Sequence, residues 1–103
     1  MKIVKKFIKE TEHIRSLAAL TTDYFYLNHA EEQMLERGID KFDIESTLLS
    51  CNVIEDQTIG AEESKWKVQG CSVDKRKIEI VVAVESGELE IQIITAWSKG
   101  KKK

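Results

Sequence analysis

His29, Gln33 and Arg37 follow one another at intervals of four residues, so on a helix an imidazole, an amide and a guanidinium stand along one ridge. Such a set suits cleavage of a phosphodiester without a metal, which needs a base near the attacking hydroxyl, an acid near the leaving oxygen and donors on the phosphate. His29 changes charge near neutral pH and serves as base or acid. Arg37 grips a phosphate through two parallel N–H bonds. Gln33 offers a substrate-binding amide between them, Lys67 adds positive charge and Thr95 a hydrogen bond. Each also has an ordinary structural role. His29 suits a helix start bonded to backbone, Arg37 a helix C-terminus whose dipole favours a cation, Thr95 a strand and Lys67 a solvated surface.

The stretch from Asn28 to Asp40 must position these groups. Asn28 is a good N-cap, and Glu31 three residues on completes a capping box, so the first helix of this stretch begins at His29. Gly38 supplies the left-handed turn that closes it. Asp40 caps a second helix running from Lys41 to about Ser50, with Ile39 and Ile44 at the positions of a hydrophobic staple. Ala30, Met34 and Gly38 form the inward ridge, and His29, Gln33 and Arg37 lie along its border.

Upstream, Ile3, Phe7, Ile14 and Leu17 recur at helical spacing, widened by Val4 and Ile8. This predicts an amphipathic helix to about Leu20 that is either an extra layer on the domain or a dimer or partner surface. Downstream the period changes to two. Cys51 to Glu55 reads as a strand, residues 56–64 as a polar loop, Lys65 to Gly70 as a strand and Ser72 to Arg76 as a turn. Lys77 to Glu85 and Glu88 to Trp97 form a hairpin through Ser86-Gly87. Ile78, Ile80, Val82, Val84, Leu89, Ile91 and Ile93 face the helices, and Thr95 continues that face toward His29 and Arg37. The opposite face gathers Val81, Ala83, Ile94 and Ala96 among glutamates, an apolar middle that calls for a cover. The N-terminal helix, a second subunit and an inhibitory partner are the candidates. Helices followed by an antiparallel meander predict an α+β domain with helices packed on a curved sheet.

The residues His29-Ala30, Met34 and Arg37-Gly38-Ile39, with the acidic helix start and strands ending near an Ile-Thr-aromatic run, resemble domain-of-unknown-function family 4258. Its pattern is His-Ala-x-x-Arg-Met-x-x-Arg-Gly-Ile, and the resemblance covers roughly Leu27 to Trp97. It implies a RelE-like fold of the barnase, EndoU, colicin and RelE-like ribonuclease group, many of them bacterial toxins of toxin-antitoxin pairs. RNA cleavage or RNA binding and an antitoxin-like protein partner follow as expectations. Gln33 stands where the family has its first arginine, which removes a cation from the site. The competing expectation is a non-catalytic protein-interaction module of the same fold, favoured by Gln33, the acidic balance and the sheet glutamates.

A chain of 103 residues fits one domain: a helical extension over 1–26, a family-like core over 27–97 and a basic tail over 98–103. No apolar run is long enough to span a bilayer and no signal-peptide pattern opens the chain, so the expected location is the cytoplasm. The net charge of −2 argues against retention on nucleic acid by the overall field and leaves a local basic patch open. Cys51 and Cys71 read as reduced, partly buried thiols. No metal-ligand spacing and no glycine-rich phosphate loop is present, so no cofactor is expected. Two apolar surfaces in search of partners, the N-terminal stripe and the second sheet face, together predict a homodimer.

Overall fold

Alternation along the second half of the chain builds a sheet, and helical spacing along the first half builds what covers it. The computed structural model describes residues 7–20, 24–60, 62–85 and 90–99. Its elements are α1 (Ile8–Leu20), β1 (Tyr24–Tyr26), α2 (Asn28–Arg37), α3 (Lys41–Ser50), β2 (Asn52–Asp56), β3 (Glu63–Cys71), β4 (Lys77–Glu85) and β5 (Ile91–Lys99). One five-stranded sheet has the order β1-β5-β4-β3-β2. It is mixed rather than purely antiparallel, because the aromatic run Tyr24–Tyr26 pairs parallel to Ile91–Ile93. The α+β expectation holds, with all three helices on one face of the sheet.

The core lies between that face and the helices: Ile78, Ile80, Val82, Ile91, Ile93 and Val68 meet Ile44, Leu48, Ala30, Met34, Ile14 and Leu17. Of the N-terminal stripe, Ile14 and Leu17 on α1 are therefore core and Phe7 packs partly buried against it, whereas Ile8 stays exposed. The helix packs beside α3 and does not cover the opposite sheet face; Ile3 and Val4 lie outside the described residues, as does the Ser86-Gly87 turn. Helix α1 also closes two ends. Arg15 donates to the carbonyls of Cys51 (2.7 Å) and Ser50 (3.3 Å), finishing α3, which has no terminal glycine. Thr11 Oγ1 accepts from Val53 N at 2.9 Å, which blunts the outer edge of β2.

Gly70 lets α3 approach β3. A Cβ there would stand 2.9 Å from the Thr47 carbonyl oxygen and 3.3 Å from Cys51 Cα, both backbone atoms with little room to yield. Gly70→Ala is expected to cost about 1–3 kcal/mol through overpacking. An unchanged thermal midpoint in that variant would show that α3 rides more loosely than this.

Two corrections concern the ends of α2 and the faces of β5. The N-cap of α2 is Leu27, with no side-chain cap bond, so the Asn28–Glu31 capping box does not form. Parallel pairing explains it: Leu27 N donates to Ile93 O at 3.1 Å, which holds the chain to β5 and starts the helix one residue early. The second correction is a β-bulge. The register passes from Val82↔Ile93 to Val81↔Thr95, leaving Ile94 as the extra residue. Beyond it the alternation inverts. Ala96 and Ser98 turn into the core, at 0% and 6% exposure, and Thr95 and Trp97 emerge on the outer face. Thr95 is thus on the opposite face from the helices, and Ala96 is not part of the outer patch. Val81 and Ala83 do point outward, yet both are buried, since each lies between half-buried side chains of β3 and β5.

Tyr24 and Tyr26 stack at 6.4 Å on the helical side of β1, and Tyr24 Oη donates to the Ala18 carbonyl at 3.3 Å. Burial, and then the Glu45 carboxylate, push both phenols up from 10.0 to about 12. The folded values exceed the unfolded ones, so their contribution to stability is full below pH 10 and is lost as pH rises from 10 toward 12. The urea midpoint should fall over that window, and phenolate absorbance should lag behind that of the denatured chain; ionisation of both rings near pH 10 without loss of structure would contradict it.

Candidate functional site

Helix α2 runs alongside the outer edge of β5 in the same direction, as three contacts show. Leu27 meets Ile93, Gln33 Oε1 accepts from Ala96 N at 2.9 Å, and the Arg37 guanidinium carbon sits 3.2 Å from the Trp97 ring centroid. The ridge His29-Gln33-Arg37 accordingly borders the sheet edge. Gln33 is occupied at that edge: its carbonyl satisfies a backbone N–H that β1 is too short to reach. Arginine, which has no acceptor, cannot do this.

Arg37 is the cation best placed for work. Its Nε is buried without a hydrogen-bond partner, and it forms no ion pair among the described residues. The indole orients its guanidinium at the rim of the outer face. Its helix ends there because Gly38, at φ 65° and ψ 38°, closes α2 in the left-handed conformation. The closing turn is then pinned from the β3–β4 connection. Arg76 Nη1 donates to the Arg37 carbonyl (2.9 Å) and Nη2 to the Gly38 carbonyl (2.8 Å). The same guanidinium lies 3.5 Å from the carboxylate of Asp43, which is only 6% exposed.

Asp43 also completes a capping box with Asp40: Asp43 N donates to Asp40 Oδ1 (2.8 Å) and Asp40 N to Asp43 Oδ2 (3.0 Å). Its other oxygen accepts from Val73 N at 3.2 Å. One buried carboxylate thereby joins the start of α3 to the turn that carries Arg76. Asp74, beside it, is held below the usual carboxylate range by the Ser72 hydroxyl and then by Arg76.

On the outer face Glu79 pairs in register with Trp97 on one side and Gln69 on the other. Gln69 Nε2 donates to Glu79 at 2.9 Å and Lys67 Nζ lies 3.5 Å from the same carboxylate. Thr95 and Lys67 flank Val81 in one row, roughly 10 Å apart across two strand spacings. His29 is exposed on the first turn of α2, and its side chain has no hydrogen bond among the described residues. Eight residues of helix separate it from Arg37, about 12 Å along the axis, too far for both to hold one phosphate. The structure therefore gathers Arg37, Thr95 and Lys67 at one open face, ties Gln33 to the scaffold and leaves His29 at the far end of the ridge.

Trp97, Glu79 and Arg76 were missed by sequence reasoning. For Glu79 a signal existed, a lone charge inside the apolar run Ile78 to Val84; for Trp97 and Arg76 the bulge and the corner had to be seen first. No cluster of three or more metal-ligating side chains occurs among the described residues, and no helix there is long and apolar enough to cross a membrane.

The family model described as Domain of unknown function (DUF4258) matches residues 26–98. The chain belongs to the DUF4258 family. No curated protein and no solved structure matches it. The DUF4258 region takes in α2, α3 and nearly the whole sheet, so Arg37, Trp97, Glu79 and Arg76 all lie within the family's part, and α1 is an addition to it.

Proposed function

We propose that this DUF4258 chain is a small RelE-like, toxin-type domain of the bacterial cytoplasm that binds RNA and cleaves it without a metal. The observation that carries the reading is Arg37, a guanidinium with no anion among the described residues, stacked on exposed Trp97 beside the Glu79 carboxylate. Arg37 binds the phosphate, Thr95 and Lys67 add a hydrogen bond and charge, and Glu79, in the Trp97 row, takes the proton of the attacking 2'-hydroxyl. Expression of the intact chain should slow bacterial growth and fragment RNA, Glu79→Gln should relieve both, and His29→Ala, about 12 Å along the helix from Arg37, should relieve neither. Growth and RNA left untouched by the intact chain would remove the catalytic reading.

A second reading, a non-catalytic interaction module of the same fold, draws on Gln33, whose amide is a scaffold group here. Leu35 and Phe42, 85% and 73% exposed on α2 and α3, are the side chains an antitoxin-like protein would cover. Salt separates the readings, because phosphate contacts weaken steeply as salt rises and apolar ones do not. Homodimerisation stays a proposal, for light scattering to decide; Ile14 and Leu17, being core, no longer argue for it.

A further inference from the structure

The outer face of the sheet is uneven in charge. In successive rows it carries Glu63 opposite Glu85, then Lys65 opposite Ala83, Lys67 opposite Val81, Gln69 opposite Glu79 and Cys71 opposite Lys77. One end is acidic; the remainder carries Lys65, Lys67 and Lys77, with Glu79 and, opposite Lys67 on β2, Glu55. Trp97 stands in the Glu79 row, 43% exposed, with Arg37 against its ring. No helix covers this face among the described residues.

We infer that this face seats a single-stranded stretch of RNA, one base stacked on Trp97, flanking phosphates on Arg37 and Lys67, and the Glu63–Glu85 end stopping the track. The inference rests on the RNA reading above and adds the class of substrate. Three features argue for a single strand. An indole held beside cations accepts any unpaired base, and bases inside a duplex are already stacked on one another. The face is an open sheet, with the aromatic side chain standing between the Lys67 and Lys77 rows at strand spacing, which suits a backbone running over it and not a helical groove. The paired glutamates at the far end repel phosphate, so the track has a fixed limit and only a short segment fits. Arg37, Lys65 and Lys77, which form no ion pair among the described residues, are the cations that call for a polyanion on this face.

The probe is a 2'-O-methyl RNA 12-mer, which lacks the attacking hydroxyl and so reports binding apart from cleavage, compared at low salt with the duplex it forms with its complement. Trp66 is buried at 6% exposure, so stacking should quench the emission of Trp97 selectively. The single strand should bind more tightly than the duplex, Trp97→Ala should weaken it about tenfold or more, and Trp97→Phe should keep most of the affinity. Lys67→Gln should lower the salt dependence, and Lys75→Gln, on the turn away from this face, should not. Equal affinity for duplex and single strand, or unchanged binding by Trp97→Ala, overturns the inference and leaves the RNA reading standing. Absence of binding to either probe removes both. A dimer in solution that Trp97→Ala dissociates would also overturn it, since the face would then belong to a second copy.

Discussion

Arg76→Ala is expected to lower the stability of the folded chain by about 3–5 kcal/mol, the range seen when one partner of a buried ion pair is removed. Arg76 and Asp43 have side chains only 11% and 9% exposed, so the Asp43 carboxylate would be left buried beside an empty space. The two carbonyls that close α2 would lose their donors at the same time. Urea unfolding of the variant against the intact chain gives the number. Because the cost arises mainly from the stranded charge, Asp43→Asn combined with Arg76→Ala should be less destabilised than the sum of the two single changes. A loss below about 1 kcal/mol in the single variant would place Arg76 among ordinary surface pairs instead.

On the proposed RNA-cleaving function, Arg37→Lys should leave the fold intact and reduce the cleavage rate by roughly two to three orders of magnitude, the usual effect of removing a donor that stabilises developing charge. Lysine keeps the charge but loses the plane. It cannot lie flat on the Trp97 ring at 3.2 Å and cannot offer two parallel N–H bonds to a phosphate. Circular dichroism and the urea midpoint should match the intact chain, since Arg37 has no ion pair among the described residues to lose. Full activity in this variant would move the phosphate site away from the α2 ridge. Activity lost together with the fold would make Arg37 a structural residue and the indole contact a packing detail.

Much of the fold was legible because it follows from short-range rules. Gly38 closes α2 and Asp40 caps α3 as local sequence requires, and β4 runs over Lys77–Glu85 as its alternation implied. The site was legible only in part. Arg37 was placed on the correct ridge, but the route by which Thr95 was joined to it was wrong: strict alternation carries Thr95 into the core, and the bulge at Ile94 turns it out. A run of three β-favouring residues, Ile93 to Thr95, reads the same with or without a bulge, so no local pattern marks the break. Likewise nothing in Tyr24 to Tyr26 marks a strand, because three residues are too few to show a period, and the role of β1 is set by a strand more than sixty residues later. Gln33 was read as a weakened binding residue for the same reason, since its partner, Ala96 N, is 63 positions away.

That separation has a consequence for synthesis. A chain made from its N-terminus can form the α2–α3 corner early, but the indole that orients Arg37, the backbone N–H that engages Gln33 and the strand on which β1 docks all belong to β5, which is made after every other described element. Until β5 adds to β4, the guanidinium has no ring to lie on and the outer face lacks its aromatic side chain. A ribosome making this chain therefore holds, until β5 has emerged, a nascent segment without the paired Arg37 guanidinium and Trp97 indole.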